Sequence, residues 1–162
     1  MKKFLTSLLV LSSLSIQTTL AADVAIGNFL YREVIDPLDD SNRSFIATSA
    51  VEGTGGLVWK CGIEGVSVFV YHPDEGYEKG EEYSITYRFD KRETEQMGGW
   101  HTGSSNTALF MDSSYINVFT VEALLSKQLV MRPNKPGIGL NVLTFKLDGL
   151  ISALNELSCI DF

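Results

Sequence analysis

The chain has 162 residues, 44% of them hydrophobic, with 13 Lys and Arg against 20 Asp and Glu and a formal charge of −7. So acidic a balance repels nucleic acid and anionic membrane surfaces, and it steers a basic protein toward the chain. The same charge also serves plain solubility.

The first residues, MKKFLTSLLVLSSLSIQTTLAA, place Lys2 and Lys3 before an apolar stretch from Phe4 to about Ile16 and end in Ala21 and Ala22. That order predicts a secretory signal peptide over 1–22, cleaved to leave one periplasmic domain over 23–162. An uncleaved anchor is the rival reading. The stretch is short and rich in Ser and Thr, and no other apolar run has the length of a bilayer span, so no integral span is expected in the mature chain. No Cys lies near the cut for lipid attachment. Without Lys2 and Lys3 the mature chain carries 11 basic residues against 20 acidic ones, a charge of −9. It is long enough to bury a core of its own.

Residues Phe29 to Ile35 read as an edge strand, followed by an acidic turn with Asp36, Pro37, Asp39 and Asp40. Three carboxylates suit a hard cation, but DPLDDSNRS lacks the alternating donors and central Gly of an EF-hand, and Asp also caps turns by itself. No metal is expected there. In SFIATSAV, Phe45, Ala47 and Val51 alternate with Ser44 and Thr48, and EGTGG then turns the chain. LVWKCGI sets Leu57, Trp59, Cys61 and Ile63 on one inward face, and VSVFVYH, apolar on both faces, reads as a central strand.

EYSITYRFD alternates cleanly, with Tyr83, Ile85, Tyr87 and Phe89 on the apolar face and Arg88 and Asp90 as neighbours on the polar one. Glu93, Glu95 and Gln96 suggest an exposed link, a returning strand starts near Gly99, and TALFM follows. TVEALLSKQ has helical composition with Leu124 and Leu125 to bury, although INVFTVE also fits a strand. QLVMRPN is strand-like, Pro133, Pro136 and Gly137 mark a loop, and LNVLTFKLDG gives a last strand. A terminal helix follows, with Asp148 as its N-cap and Leu150, Ile151, Leu154 and Leu157 at helical spacing. The sum is a mainly β domain: an antiparallel β-sandwich or half-open barrel with a C-terminal helix and one more short helix at most.

Cys61 and Cys159 form an even pair in an exported chain, which favours a disulfide stapling the terminal helix to the sheet. A two-Cys metal site is the rival, and it lacks a second ligand pair at metal-like spacing.

No chemistry stands out. There is no G-x-S-x-G elbow, HTGSS matches no nucleophile motif, and EGTGG lacks the Lys-Ser/Thr ending of a phosphate loop. No catalytic residue or cofactor is therefore expected, and His72 and His101 sit in no ligand motif. The concentrated polar set is Arg88, Asp90, Trp100 and Ser104. It offers an ion-pairing group, an aromatic platform and a hydroxyl for a peptide or glycan; strand pairing and core packing account for the same residues.

The order of motifs resembles the VasI-like proteins, small exported bacterial proteins named for their association with type VI secretion loci. The similarity runs from about Asp36 to Cys159 through DPLDD, LVWKC, YRFD followed by WHTGS, LVMR, and FKLDGLISALNELSC. The resemblance implies a β-sandwich-like domain with Cys61 and Cys159 paired, and an R-x-D…W…S pattern at Arg88, Asp90, Trp100 and Ser104 that carries no established catalytic role. The expected function is that of a non-enzymatic periplasmic accessory or binding protein acting through protein contacts, with a type VI or related envelope machine as the expected setting. The alternative is a periplasmic immunity or inhibitor protein whose acidic surface blocks a basic toxin or hydrolase.

Overall fold

A computed structural model describes residues 23–135 and 141–160. The expected signal peptide and the Pro136–Gly137 part of the expected loop lie outside the described residues. Eight strands come first: β1 (Val24–Ile26), β2 (Phe29–Arg32), β3 (Phe45–Ser49), β4 (Gly56–Gly62), β5 (Gly65–Tyr71), β6 (Glu82–Phe89), β7 (Glu95–Thr102) and β8 (Ala108–Met111). Helix α1 (Ser113–Leu124) follows, then β9 (Gln128–Asn134), β10 (Leu143–Lys146) and a short α2 (Leu150–Leu154).

The strands form one antiparallel sheet in the order β1-β2-β3-β4-β5-β8-β7-β6-β9-β10. Edge strand β10 returns to the chain just beyond β3, where Val51 donates its N–H to Thr144 O at 2.7 Å and Thr144 donates to Glu52 O at 3.1 Å. These two bonds close a circuit from β3 round to β10, so the sheet is a half-open barrel with β1 and β2 extending beyond the seam. An edge strand with unpaired backbone groups templates aggregation; the seam covers part of β10.

The inward face of β4 carries Leu57, Trp59 and Cys61, all buried as alternation predicts, but Ile63 is 78% exposed. It sits at the tip of the hairpin closed by the Gly62–Gly65 pair, past the end of the ladder. On β3 the predicted face is reversed: Ser44, Ile46 and Thr48 are buried, because Ile46 pairs with Trp59 and Thr48 with Leu57 on the core side. Phe45 instead lies on the outer face under the Arg32 guanidinium, 5.7 Å from its ring centre.

The returning strand β7 begins at Glu95, not at Gly99. Tyr83 pairs with Trp100 and Ile85 with Met97, so β7 holds one residue more than β6 over that span, a bulge at Gly98–Gly99. Gly99 has φ +74°, a left-handed conformation open to glycine at little cost. The bulge lets Glu95 and Gln96 keep their side chains in solvent while Trp100 turns inward.

The INVFTVE segment is helical, within α1. Asp112 caps it, its Oδ1 accepting from Ser114 N at 2.9 Å. Ile116, Phe119, Thr120 and Ala123 make the buried stripe, which leaves Leu125 outside it and 75% exposed, contrary to its expected burial. At α2 the N-cap position is Gly149, with φ +92°, and not Asp148, whose carbonyl accepts from Asn28 N at 2.9 Å. A side chain at Gly149 would meet Ile26 O at 2.7 Å, so the β1–β2 turn and the start of α2 are in near backbone contact. Leu150, Leu154 and Leu157 are buried as expected, whereas Ile151 is 63% exposed.

Phe119 is the hub of the core. Its ring lies 5.4 Å from that of Phe89, 6.0 Å from Tyr87, 6.3 Å from Trp59 and 6.4 Å from Trp100, so α1 packs one face onto the aromatic lining of the barrel. Trp59 Nε1 donates to Thr120 Oγ1 at 3.0 Å, which pairs a buried donor across the same contact. Cys61 and Cys159 are joined by a disulfide with Cα atoms 5.7 Å apart, fastening the chain beyond α2 to β4.

Candidate functional site

The polar set anticipated from the sequence does not converge. Arg88 is exposed on the outer face of β6, whose inward face carries Tyr87 and Phe89. Asp90 follows the strand with φ +51°, and its Oδ1 accepts from both Lys127 N and Gln128 N at 3.0 Å. It therefore pins the connection between α1 and β9; among the described residues it forms no ion pair with Arg88. Trp100 is fully buried, and Ser104 lies exposed in the loop between β7 and β8. His101 is exposed on β7, and His72 is buried at the end of β5.

In the acidic turn, Asp36 Oδ1 accepts from Leu38 N and Asp39 Oδ1 from Ser41 N, each at 2.9 Å. Both carboxylates are thus occupied in capping their own turn. Hydrogen bonds from Ser41 hold the Asp39 carboxyl below the usual carboxylate range, Arg43 adding to them.

The surface of α1 carries a feature absent from the sequence-based expectations. Tyr115, Val118, Val121 and Leu125 are 44%, 63%, 49% and 75% exposed, and their spacing places them along one outer stripe of the helix and its C-cap. The helix is thus apolar on two faces, one packed against Phe89 and the two tryptophans and one facing solvent. The signal was available in SSYINVFTVEALLS, where Val118, Val121 and Leu125 fall outside the stripe headed by Ile116 and Phe119.

Carboxylates border this stripe. Asp112 caps the helix, its carboxyl held low by hydrogen bonds from Ser114. Glu122 pairs with Arg92 at 3.2 Å, and Glu95 accepts from Tyr87 Oη at 3.0 Å. Burial pushes the Tyr87 phenol far above its ordinary value, helped by Glu95 and then Glu122, so two carboxylates converge beside the hub of α1. The Arg92 guanidinium stacks over Phe89 and also reaches Ser126, and so is already engaged. The arrangement is an apolar ridge with acidic margins. Ridges of this kind suit contact with a complementary protein surface.

No protein-family model matches the chain, and no curated protein matches it. Among solved structures, the chain is similar to the invasion associated protein B of Bartonella henselae. The two share 17% identity with a TM-score of 0.57, over 84% of this chain and 94% of that one. At that identity the likeness shows a shared fold. Among the described residues no helix is long and apolar enough to cross a membrane, and no group of three His, Cys, Asp or Glu side chains is placed to hold a metal ion.

Proposed function

We propose that this protein is a non-enzymatic accessory or binding module of the bacterial periplasm, which uses the outer face of α1 to dock a protein presenting an apolar surface rimmed by Lys and Arg. The observation that carries the reading is the exposed stripe of Tyr115, Val118, Val121 and Leu125 on a helix whose other face is fully engaged. Charge complementarity supports a basic partner: the carboxylates of Asp112 and Glu95 border the stripe, Glu122 being paired with Arg92, and the chain without the expected signal peptide has 11 basic residues against 20 acidic ones. The disulfide supports a place in an oxidising compartment. The motif order resembling VasI-like proteins supports a component of type VI or related envelope machinery as that partner.

The test is affinity capture from the periplasm with the wild-type protein and with a Val118→Glu/Leu125→Glu variant. Both substituted positions are exposed, so the variant keeps the fold. A basic envelope component retained by the wild type and lost from the variant is the expected result. One tight basic enzyme, lost in the same way, makes the protein an inhibitor or immunity factor acting through the same face. Partners retained equally by both proteins refute the proposed docking surface.

A further inference from the structure

Apart from the stripe on α1, a groove of about 540 Å³ opens between the β4–β5 hairpin and the first turns of α1. Met111 and Ile116, both buried, line it together with the half-buried Val66. Ile63, at the hairpin tip, also lines it and is 78% exposed. The wall at Val66 is a strand edge. Cys61 donates its N–H to Ser44 O at 2.8 Å, toward β3, so Cys61 and its cross-strand neighbour Val66 form a non-hydrogen-bonded pair. The N–H and C=O of Val66 therefore point away from β4. On that side β8 pairs only with Phe69 to Tyr71, and among the described residues no hydrogen bond reaches the Val66 backbone. A donor and an acceptor on an open strand edge match the backbone of an extended peptide, which gains affinity by adding to the sheet as a strand.

The side chains around this edge select the kind of segment. Met111, Ile116 and Ile63 call for a large apolar residue, whose burial also takes Ile63 out of water. Arg43, at the rim, is already engaged, its Nε donating to Ser41 Oγ at 3.0 Å and its guanidinium lying 3.9 Å from Asp39. Glu64 forms no ion pair among the described residues, which leaves the groove with an uncompensated negative charge. A cation complements it. We propose that the groove takes up an extended segment of a protein chain, added as a strand beside Val66, with a large apolar side chain against Met111 and Ile116 and a Lys or Arg against Glu64. This deepens the docking reading by giving it a strand-binding groove beside the α1 stripe, and it rests on that reading for the partner being a protein.

Titration of the isotopically labelled full chain with the blocked pentapeptide Lys-Thr-Leu-Thr-Lys, followed by NMR, tests the groove without any envelope partner. Saturable shifts of the Gly65 to Ser67 amides are expected, with exchange of the Val66 amide slowed about tenfold at saturation. The peptide Glu-Thr-Leu-Thr-Glu should bind about tenfold more weakly, as should the first peptide to an Ile63→Ser or a Glu64→Lys variant. Both substituted positions are exposed at the hairpin tip, so the variants keep the fold. Absence of saturable shifts overturns the proposal. Shifts that leave the Val66 amide unprotected overturn strand addition, and equal binding by the acidic peptide or by either variant overturns the roles given to Glu64 and Ile63. Failure of this titration leaves the α1 face standing, and failure of capture through α1 leaves the peptide result intact.

Discussion

The wall beneath α1 and the seam beside Thr144 finish the same barrel in different ways. Under α1 four aromatic rings surround Phe119, Trp59 finds Thr120, and a disulfide ties the chain end to the same strand as Trp59. At the seam, closure rests on two backbone hydrogen bonds and one side-chain bond, Thr144 Oγ1 to Glu52 Oε2 at 3.0 Å, with unpaired polar atoms close by. Aromatic burial and a covalent link concentrate stability on the first region. The second is polar and lightly fastened, so it opens at lower free-energy cost than the first.

The largest expected effect comes from the staple. Its 98-residue separation implies that a Cys61→Ala/Cys159→Ala variant loses about 4–5 kcal/mol in the chain-entropy description, read from denaturant midpoints against the oxidised protein. A loss under about 1 kcal/mol would mean that α2 is held by packing alone. Next come two substitutions that set the regions against each other. Phe119→Ala empties the aromatic hub and should cost about 3–5 kcal/mol. Thr144→Val removes one seam hydrogen bond and should cost about 1 kcal/mol. Equal costs would erase the contrast between wall and seam.

The smallest effect is a pH dependence. Tyr87 and Tyr77 have phenol pKa values raised chiefly by burial, with nearby carboxylates adding to it. For an acid favoured neutral in the fold, the stabilisation is fully present below the unfolded value near pH 10 and is lost as pH rises through the folded values. Ultraviolet titration should therefore find Tyr77 and Tyr87 still protonated at about pH 11, ionising together with unfolding. Both ionising near pH 10 would contradict their burial.

Much of this architecture is legible in the sequence, and the exceptions have physical reasons. Alternation in Leu57, Trp59 and Cys61 and in Tyr83 to Phe89 predicts the buried faces of β4 and β6, the latter because its other face is polar, and it fails for Ile63, which lies past the end of the ladder. β3 misleads because Phe45, Ile46 and Ala47 are apolar on both sides, and only pairing with Trp59 selects Ile46 for the core. The start of β7 is hidden by acidic side chains whose backbone still pairs, a consequence of the bulge at Gly99. Arg88 and Asp90 look like partners from spacing alone. Asp90 lies past the strand end in a left-handed conformation, where it binds the backbone of residues distant in sequence. The α1 stripe is hard to read from the sequence because a helix apolar on two faces looks like one to be buried, or like a strand.

The docking claim is tested most directly by placing a photo-activated cross-linking residue at Val118 in living cells, with Ile151, equally exposed but away from the stripe, as the control. A discrete adduct with a basic envelope protein is expected from position 118 and none from position 151. No adduct at 118, or the same adduct from both positions, would contradict it.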